Sequence, residues 1–260
     1  MHRYDLQNGD IMKRVMLTVA YDGTAYHGWQ VQQNGVTIEG ELNRVIHELT
    51  GEDIQVIGAS RTDAGVHGLC NIAVFDTNSS IPGEKFSYAL NQRLPDDIKV
   101  VASCEVEDDF HPRHVPSKKT YEYKVYNAKF PDPTKRLYSH FTYVPLDVER
   151  MQKAASYLVG EHDFKSFCSP AAVVETTVRT LYKAEVTQDE EYIRIRVQGN
   201  GFLYNMVRII AGTLMEVGSG KLEPEAIVEI LEAKDRNAAG PTAPAKGLML
   251  INYEFTGKTC

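Results

Sequence analysis

The sequence has few cysteines, no long apolar run and no repeat. Its four cysteines, Cys70, Cys104, Cys168 and Cys260, form no C-x-x-C pair, which argues against a zinc knuckle and against a disulfide scaffold. We expect all four to be reduced thiols. The longest apolar run near the N-terminus, at 15–20, is too short for a signal-peptide core or a membrane span. These absences predict a cytoplasmic protein that makes no use of a membrane.

A general excess of basic residues is also missing, since the formal net charge is -7 over 260 residues. This balance excludes a histone-like basic coat, but it does not show where the basic groups lie. Between Pro112 and Phe130, five lysines or arginines stand against a single acid, Glu122. Such a run can form a phosphate-facing patch, although a solvated basic loop is the commoner explanation.

Periodic apolar residues predict an α+β protein in which each half combines strands with about two helices. The predicted helices are 37–50, 86–94, 147–160, 203–217 and 223–234, and the predicted strands include 15–21, 54–57, 71–75, 98–106, 120–126, 181–186, 192–198 and 248–255.

The length is that of one large or two ordinary domains, and we predict two. A polar stretch without periodicity predicts a flexible leader at 1–14. An acidic strand end at 105–109, followed by Phe110-His111-Pro112, marks a junction. We therefore expect an N-terminal α/β domain at 15–109 and a C-terminal α/β domain at 110–260.

The stretch 58–68 contains three glycines, an arginine, an aspartate and a histidine within eleven residues. Glycines let a backbone turn tightly and let a ligand come close. Arg61 and Asp63 would share one face if the strand predicted at 54–57 persists that far. A carboxylate beside a cation stays ionised and can act as a nucleophile or a base. From composition alone, a polar turn capped by these two residues is an equally good interpretation.

Three other residues allow both a structural and a functional interpretation. Trp29, the only tryptophan, lies near glycines and is more often a core residue than a base-stacking platform. Tyr121 falls on the inner face of the strand at 120–126, in the core or projecting into a cleft. Arg208 lies opposite the main apolar face of the helix at 203–217, so it either reaches solvent or pairs with a carboxylate.

The string Arg61-Thr62-Asp63-Ala64-Gly65-Val66-His67 resembles the signature of the tRNA pseudouridine synthase A family. Several motifs in one order are more specific than any single motif, and the resemblance extends over nearly the whole chain from about Val15. The other matching motifs are Tyr21-Asp22-Gly23-Thr24, Gly28-Trp29-Gln30, Lys119-Thr120-Tyr121-Glu122-Tyr123, Gly160-Glu161-His162-Asp163-Phe164, Gly201-Phe202-Leu203-Tyr204, Met206-Val207-Arg208 and the segment 242–248.

The resemblance implies a pseudouridine synthase fold, in which two α/β halves share a central antiparallel or mixed sheet flanked by helices. It implies a homodimer that uses no cofactor and no metal. It also implies conversion of uridine to pseudouridine at positions 38, 39 and 40 of the tRNA anticodon arm.

The resemblance also implies the roles of individual residues. Asp63 matches the catalytic aspartate, which could attack C1' or C6 or remove a sugar proton. Arg61 matches the arginine that helps to extrude the base, and Tyr121 matches the tyrosine that packs on it. Arg208 matches the partner of the aspartate, and we expect this pairing to lower the pKa of Asp63.

Lys118 and Lys119, within the basic run, are candidate phosphate contacts in the substrate-binding site. One alternative is an RNA-binding module without catalysis, although a buried carboxylate near phosphates would repel them. A second alternative is a metal hydrolase that uses Asp63, His67, His111 and His114, whose spacing fits no compact ligand set.

Overall fold

The computed structural model describes residues 12–171 and 174–256. Residues 1–11, most of the predicted leader, lie outside this range, and the first strand begins at Lys13. Within the described residues, no helix is both long enough and apolar enough to cross a membrane.

Ten strands and five α-helices occupy the described ranges. The strands are β1 (Lys13–Tyr21), β2 (Ile57–Gly58), β3 (His67–Thr77), β4 (Ile98–Val106), β5 (Ser117–Asn127), β6 (His140–Thr142), β7 (Gly160–Asp163), β8 (Val178–Asp189), β9 (Tyr192–Gly199) and β10 (Leu248–Phe255). The helices are α1 (Ile38–Thr50), α2 (Phe86–Asn91), α3 (Val148–Ser156), α4 (Met206–Gly218) and α5 (Ala226–Ala233).

All ten strands belong to one mixed sheet with the order β4-β1-β3-β10-β5-β9-β8-β7, while β2 pairs with β3 and β6 pairs with β5. The pairs β3–β10 and β5–β6 are parallel, and the others are antiparallel. The predicted α+β class, with a shared mixed sheet flanked by helices, is confirmed.

Strands from the N-terminal part of the chain and strands from the C-terminal part meet in the sheet at the β3–β10 pair. Their parallel contact is short and pairs Met249 with His67 and Leu250 with Gly68. In the sheet order, β4, β1 and β3 come from residues before 110, and the strands from β10 to β7 come from residues after it. The division into domains at 15–109 and 110–260 stays a prediction. Because β3 directly follows the stretch that carries Asp63, this contact brings the C-terminal strands close to that stretch.

Separate hydrophobic clusters pack on the two sides of this contact. On the N-terminal side, Trp29, Leu42, Phe75 and Phe86 are buried among residues of α1, α2 and the sheet. Trp29 is fully buried and lies so close to Gly58 that a Cβ there would be 2.1 Å from the indole nitrogen. The prediction that Trp29 is a core residue is confirmed.

The C-terminal cluster packs α3 and α4 against the sheet. Its members come from both helices and from strands β5, β8 and β9, with Phe164 and Phe167 from the turn after β7. Helix α4 is buried along most of its length, as its apolar circumference predicts.

Several predicted elements are shorter than expected, and three of them have an identifiable reason. The strand at 54–57 is reduced to β2, because Val56 donates its N–H to the Asn43 side chain of α1 at 2.9 Å. The helix at 147–160 ends at Ser156, since Gly160 pairs with Leu181 in the sheet. The helix at 203–217 begins at Met206, because the residue before it, Asn205, has a left-handed backbone with φ 62°.

Of the three cysteines within the described residues, one differs from the prediction, whereas Cys260 lies outside those residues. Cys70 and Cys168 carry free thiols, whereas Cys104 is disulfide-bonded. The expectation of four reduced thiols is therefore wrong at Cys104.

Candidate active site

A cleft of about 900 Å³ lies where the stretch before β3 meets the start of α4. Its walls include Asp63 from the stretch before β3, Tyr121 and Lys119 from β5, Leu248 from β10 and Met206 from α4. The β3–β10 contact therefore lies beside a cavity to which both sides of the sheet contribute side chains.

The backbone around Asp63 is held by the N-terminal side of the molecule. The backbone N–H of Trp29 donates to the Thr62 carbonyl at 3.0 Å, and the backbone N–H of Gly65 donates to the Tyr26 carbonyl at 3.2 Å. Gly28 has φ 88°, and a Cβ there would lie 2.5 Å from the Thr62 oxygen. Glycine is required at this position by both the backbone angle and the close approach. These contacts explain why the Gly28-Trp29-Gln30 motif accompanies the stretch that carries Asp63.

Arg208 reaches the Asp63 carboxylate from α4. Its Nη1 lies 3.0 Å from the Asp63 Oδ2, and the side chains of Asp63 and Arg208 are 20% and 18% exposed. The arginine Nε donates to the Ala243 carbonyl at 2.8 Å. Arg208 therefore pairs with a carboxylate, which is one of the two arrangements that the sequence allowed.

The segment 241–243 approaches α4 closely at Gly212. A Cβ on Gly212 would lie 1.8 Å from the Pro241 carbonyl oxygen, so only glycine allows this packing. The same approach places the Ala243 carbonyl where Arg208 can bond to it. The segment 242–248 thus supports the arginine that pairs with Asp63.

Two opposing effects set the pKa of Asp63. Burial raises the pKa of this carboxyl above its ordinary value, and the hydrogen bond and charge of Arg208 offset only part of that rise. The pairing with Arg208 lowers the pKa of Asp63, as expected, but the burial of the carboxyl in the cleft has the larger effect. The pair still favours the carboxylate over what burial alone would allow.

Tyr121 is both buried and part of the cleft wall. Its side chain is 7% exposed, and its ring meets that of Phe202 edge to face with centroids 5.1 Å apart. Tyr121 stands opposite Leu250 in the β5–β10 pairing. The core and cleft interpretations of this tyrosine are therefore compatible.

Four cations line the cleft, and no described carboxylate forms an ion pair with any of them. Arg61 is exposed, and Arg113 donates its Nε to the Gly58 carbonyl at 2.8 Å. Burial, then the charges of Arg113 and Arg179, lowers the pKa of Lys119 to about 8. Among the described residues, those that line the cleft thus include four cations and one acid, Asp63, and this excess of positive charge favours a polyanionic ligand.

Lys118 is placed differently from its neighbour. It does not line the cleft, and its ammonium lies 5.1 Å from the centre of the Tyr182 ring. Of the candidate site residues, the structure thus brings Arg61, Asp63 and Lys119 together with Tyr121, and leaves Lys118 outside.

Sequence reasoning missed three residues at this site. Arg113 was noted only as a member of the basic run, and Arg179 and Asn205 were not singled out. Asn205 accepts a hydrogen bond from the Arg208 Nη1 at 2.8 Å and donates one to the Ser169 Oγ at 2.7 Å. An asparagine that directly precedes an apolar helix is the signal that could have indicated such a role.

The side chains considered for a metal hydrolase have other contacts. His67 accepts a hydrogen bond from the Gly23 N–H at Nδ1 and contacts the Leu137 carbonyl through Nε2, both at 3.1 Å. The rings of His111 and His114 stack with centroids 4.0 Å apart. In the part of the chain that the structure describes, no group of three or more His, Cys, Asp or Glu side chains could hold a metal ion.

Comparisons with known proteins agree on one family. A family model described as tRNA pseudouridine synthase matches residues 17–114 and 154–256. The tRNA pseudouridine synthase A of Thermoanaerobacter sp. (strain X514) is 51% identical, over 94% of this chain and 100% of its own length. Proteins of the same name from Acetivibrio thermocellus and Bacillus velezensis are 49% and 48% identical, over 94% and 91% of this chain and 100% and 97% of theirs.

Among solved structures, one titled "Crystal Structure of a Cbf5-Nop10-Gar1 Complex" matches 78% of this chain and 45% of that chain. The TM-score is 0.36 and the sequence identity is 13%, a likeness too weak to bear on the site.

Proposed function

Because the chain belongs to the tRNA pseudouridine synthase family, we propose that it isomerises uridines 38, 39 and 40 of the tRNA anticodon stem-loop, with Asp63 as the catalytic nucleophile. The observation that carries this proposal is the Asp63 carboxylate, which lines a cleft and lies 3.0 Å from Arg208. A carboxylate in such surroundings can react with a base or a sugar from which water has been excluded.

The isomerisation breaks the N1–C1' bond of uridine, turns the uracil over and joins C5 to C1'. The C5 hydrogen is released as a proton and N1 takes up a proton, but no larger group leaves, so the site must hold the detached base until the new bond forms. The cleft volume of about 900 Å³ lies within the range of about 300–1,000 Å³ that is typical of small-ligand sites. We infer that it takes one nucleotide turned out of the RNA stack.

An ionised Asp63 has three routes to this reaction. It can attack C1', attack C6 of the base, or remove a sugar proton to give a glycal. Each route needs the charged carboxylate, which burial disfavours and Arg208 supports. Arg208 therefore keeps Asp63 ionised in the closed complex.

Arg61 acts when the base leaves the RNA stack, and Tyr121 contacts the base after it has been detached from the sugar. Arg61 is exposed in the cleft lining, where its side chain can fill the space that the extruded base leaves, or bind a phosphate. Tyr121, held edge to face by Phe202, offers a flat wall for the detached uracil.

The remaining cations bind the RNA backbone. Arg113, Lys119 and Arg179 line the cleft without a carboxylate partner among the described residues, which suits phosphate groups. We include Lys118 as a weaker phosphate contact, because it lies next to Lys119 but outside the cleft. Backbone and stacking contacts recognise shape more than base sequence, in keeping with action on three neighbouring uridines.

We also propose that the enzyme is a cytoplasmic homodimer that needs neither cofactor nor metal, as the family resemblance implies. The isomerisation is redox-neutral and transfers no group to a second molecule, so the chemistry can be supplied by side chains. We propose two α/β domains, with Asp63 on 15–109 and with Tyr121 and Arg208 on 110–260.

The test is tritium release from tRNA that carries C5-labelled uridine. We expect Asp63→Asn to lose about 10,000-fold in kcat, because asparagine keeps the shape but cannot act as a nucleophile. Its tRNA affinity should stay near that of the wild type. Appreciable turnover by Asp63→Asn would overturn the assignment of the nucleophile.

The target positions need a matched set of substrates. Replacing uridines 38, 39 and 40 by cytidine should abolish tritium release, and restoring each one singly should return it. Release that persists from the triply substituted tRNA would show that other positions are modified. A protein that binds tRNA but releases no tritium would favour the RNA-binding module.

A further inference from the structure

Asn205 holds an unusual position at the edge of the cleft. Its backbone is left-handed, with φ 62°, directly before α4. Only three described residues other than glycine have positive φ: Glu190, Asn205 and Lys234. Asparagine tolerates this conformation better than most residues, because its short polar side chain can bond locally.

The Asn205 side chain uses both of its polar atoms. Its Oδ1 accepts a hydrogen bond from the Arg208 Nη1 at 2.8 Å, and its Nδ2 donates to the Ser169 Oγ at 2.7 Å. A second contact ties the same two segments together, since the Ser169 N–H donates to the Tyr204 carbonyl at 3.1 Å. Asn205 is therefore fixed on one side and bonded to the arginine on the other.

The nitrogen that Asn205 contacts is also the one that contacts Asp63. The Arg208 Nη1 lies 2.8 Å from the Asn205 oxygen and 3.0 Å from the Asp63 oxygen, while the Nε bonds to the Ala243 carbonyl. Because an arginine side chain has many rotamers, a nitrogen shared in this way keeps the guanidinium facing the carboxylate.

We propose that Asn205 is a positioning residue for the reaction, which holds Arg208 toward Asp63 and is itself held by Ser169. This inference rests on the proposed function, since it assigns Asn205 a role only through the Arg208–Asp63 pair. It adds a residue that neither the motif around Asp63 nor the basic run contains.

The test variant is Asn205→Gly, because glycine adopts the left-handed backbone freely and removes only the side-chain contacts. We expect kcat for tritium release to fall about tenfold, the effect of losing one hydrogen bond to a charged group. The KM for tRNA should stay within about twofold, and the melting temperature should change little, because relief of the left-handed backbone strain opposes the lost hydrogen bonds and the greater freedom of the unfolded chain.

Glu190→Gly is the matched control, since Glu190 also has positive φ, at 53°, and lies in the β8–β9 hairpin. It should leave kcat at the wild-type value. A loss of kcat in Glu190→Gly equal to that in Asn205→Gly would overturn the proposal, because a backbone effect would then explain both.

A double-mutant cycle shows whether Asn205 acts through Arg208. In the Arg208→Ala background, Asn205→Gly should cost nothing further, because the arginine that it positions is gone. A full second loss in that background, or wild-type kcat in Asn205→Gly alone, would overturn the proposal. If Asp63→Asn retains turnover, the proposed function fails instead, so the two failures are distinguishable.

Discussion

Asp63 and Glu122 are both partly or fully buried carboxylates that pair with arginines, and their surroundings differ. Asp63 lines the cleft, and among the described residues it forms an ion pair with Arg208 alone, at 3.0 Å. Glu122 lies on β5, where the Arg196 Nε is 2.7 Å and the Arg194 Nη1 is 3.5 Å from its oxygens. The Glu122 side chain is 10% exposed, half the fraction found for Asp63.

The comparison separates a structural ion pair from a reactive one. Glu122 bonds to two arginines of the neighbouring strand β9 and does not line the cleft. Asp63 faces open space and shares its arginine nitrogen with Asn205. A carboxylate that is buried, incompletely compensated and next to a cavity is the one suited to chemistry.

Removing the arginines gives the largest contrast. Arg208→Ala should lower kcat for tritium release by about 100- to 1,000-fold, the usual cost of losing a group that stabilises charge at a reacting centre. Arg196→Ala removes an equivalent side chain from the Glu122 pair and should leave kcat unchanged. Equal effects of the two variants on kcat would remove the distinction between the pairs.

The pH dependence of activity sharpens the same contrast. The folded-state pKa of Asp63 is raised, so activity should fall as the pH drops through a value above the usual Asp range of about 3.9. Residual activity of Arg208→Ala should fall at still higher pH, because the arginine no longer opposes burial. If the activity of Arg208→Ala fell at the same pH as that of the wild type, this prediction would be contradicted.

The raised pKa also has a consequence for stability. The folded state holds the Asp63 proton more tightly than the unfolded chain does, so this group's contribution is present at low pH and is lost as the pH rises through the folded pKa. Asp63→Asn should therefore have a higher free energy of unfolding than wild type at pH 7. The difference should shrink on acidification, as measured by urea unfolding; no difference at pH 7 would contradict it.

The cations around Asp63 predict a further difference from the ion pairs of Glu122. The pKa of Lys119 is lowered to about 8, so the free enzyme loses this charge as the pH rises through that value. The Kd for tRNA should increase about tenfold between pH 7 and pH 9. Lys119→Arg should flatten this rise, since arginine stays charged. Lys118→Arg, outside the cleft, is the control and should behave as wild type.

The smallest expected effect belongs to Glu122. Glu122→Gln should lower the free energy of unfolding by about 1 kcal/mol, because glutamine still accepts one hydrogen bond and Arg196 is partly solvated. Turnover should be unaffected when measured well below the unfolding temperature. A loss of kcat without a loss of stability would place Glu122 in the reaction and break the comparison.

Local sequence pattern was sufficient for several elements. The strands predicted at 98–106 and 248–255 have those bounds, and Thr37 accepts a hydrogen bond from the Gly40 N–H as the cap of α1. In these stretches, apolar periodicity and tertiary burial agree. Where a distant partner decides the structure, as for Gly160 opposite Leu181, the local pattern gave the wrong end of a helix.

The candidate site shows the same division. The stretch around Asp63 stood out because its composition suits a close ligand approach, and the family resemblance supplied the partner Arg208. The sign of the Asp63 pKa shift could not be obtained in this way, because it depends on how deeply the cleft buries the carboxyl. Arg113, Arg179 and Asn205 gain their roles only from contacts between segments far apart in sequence.

The parallel contact between β3 and β10 has a consequence for how the protein is made. A ribosome completes Thr77 long before it reaches Leu248, so the start of β3, at His67 and Gly68, lacks its β10 partner throughout the intervening synthesis. An unpaired stretch of strand can pair with another nascent chain, so this interval carries a risk of aggregation. Asp63 is thus translated early, but the cavity it serves closes only when a much later strand is inserted.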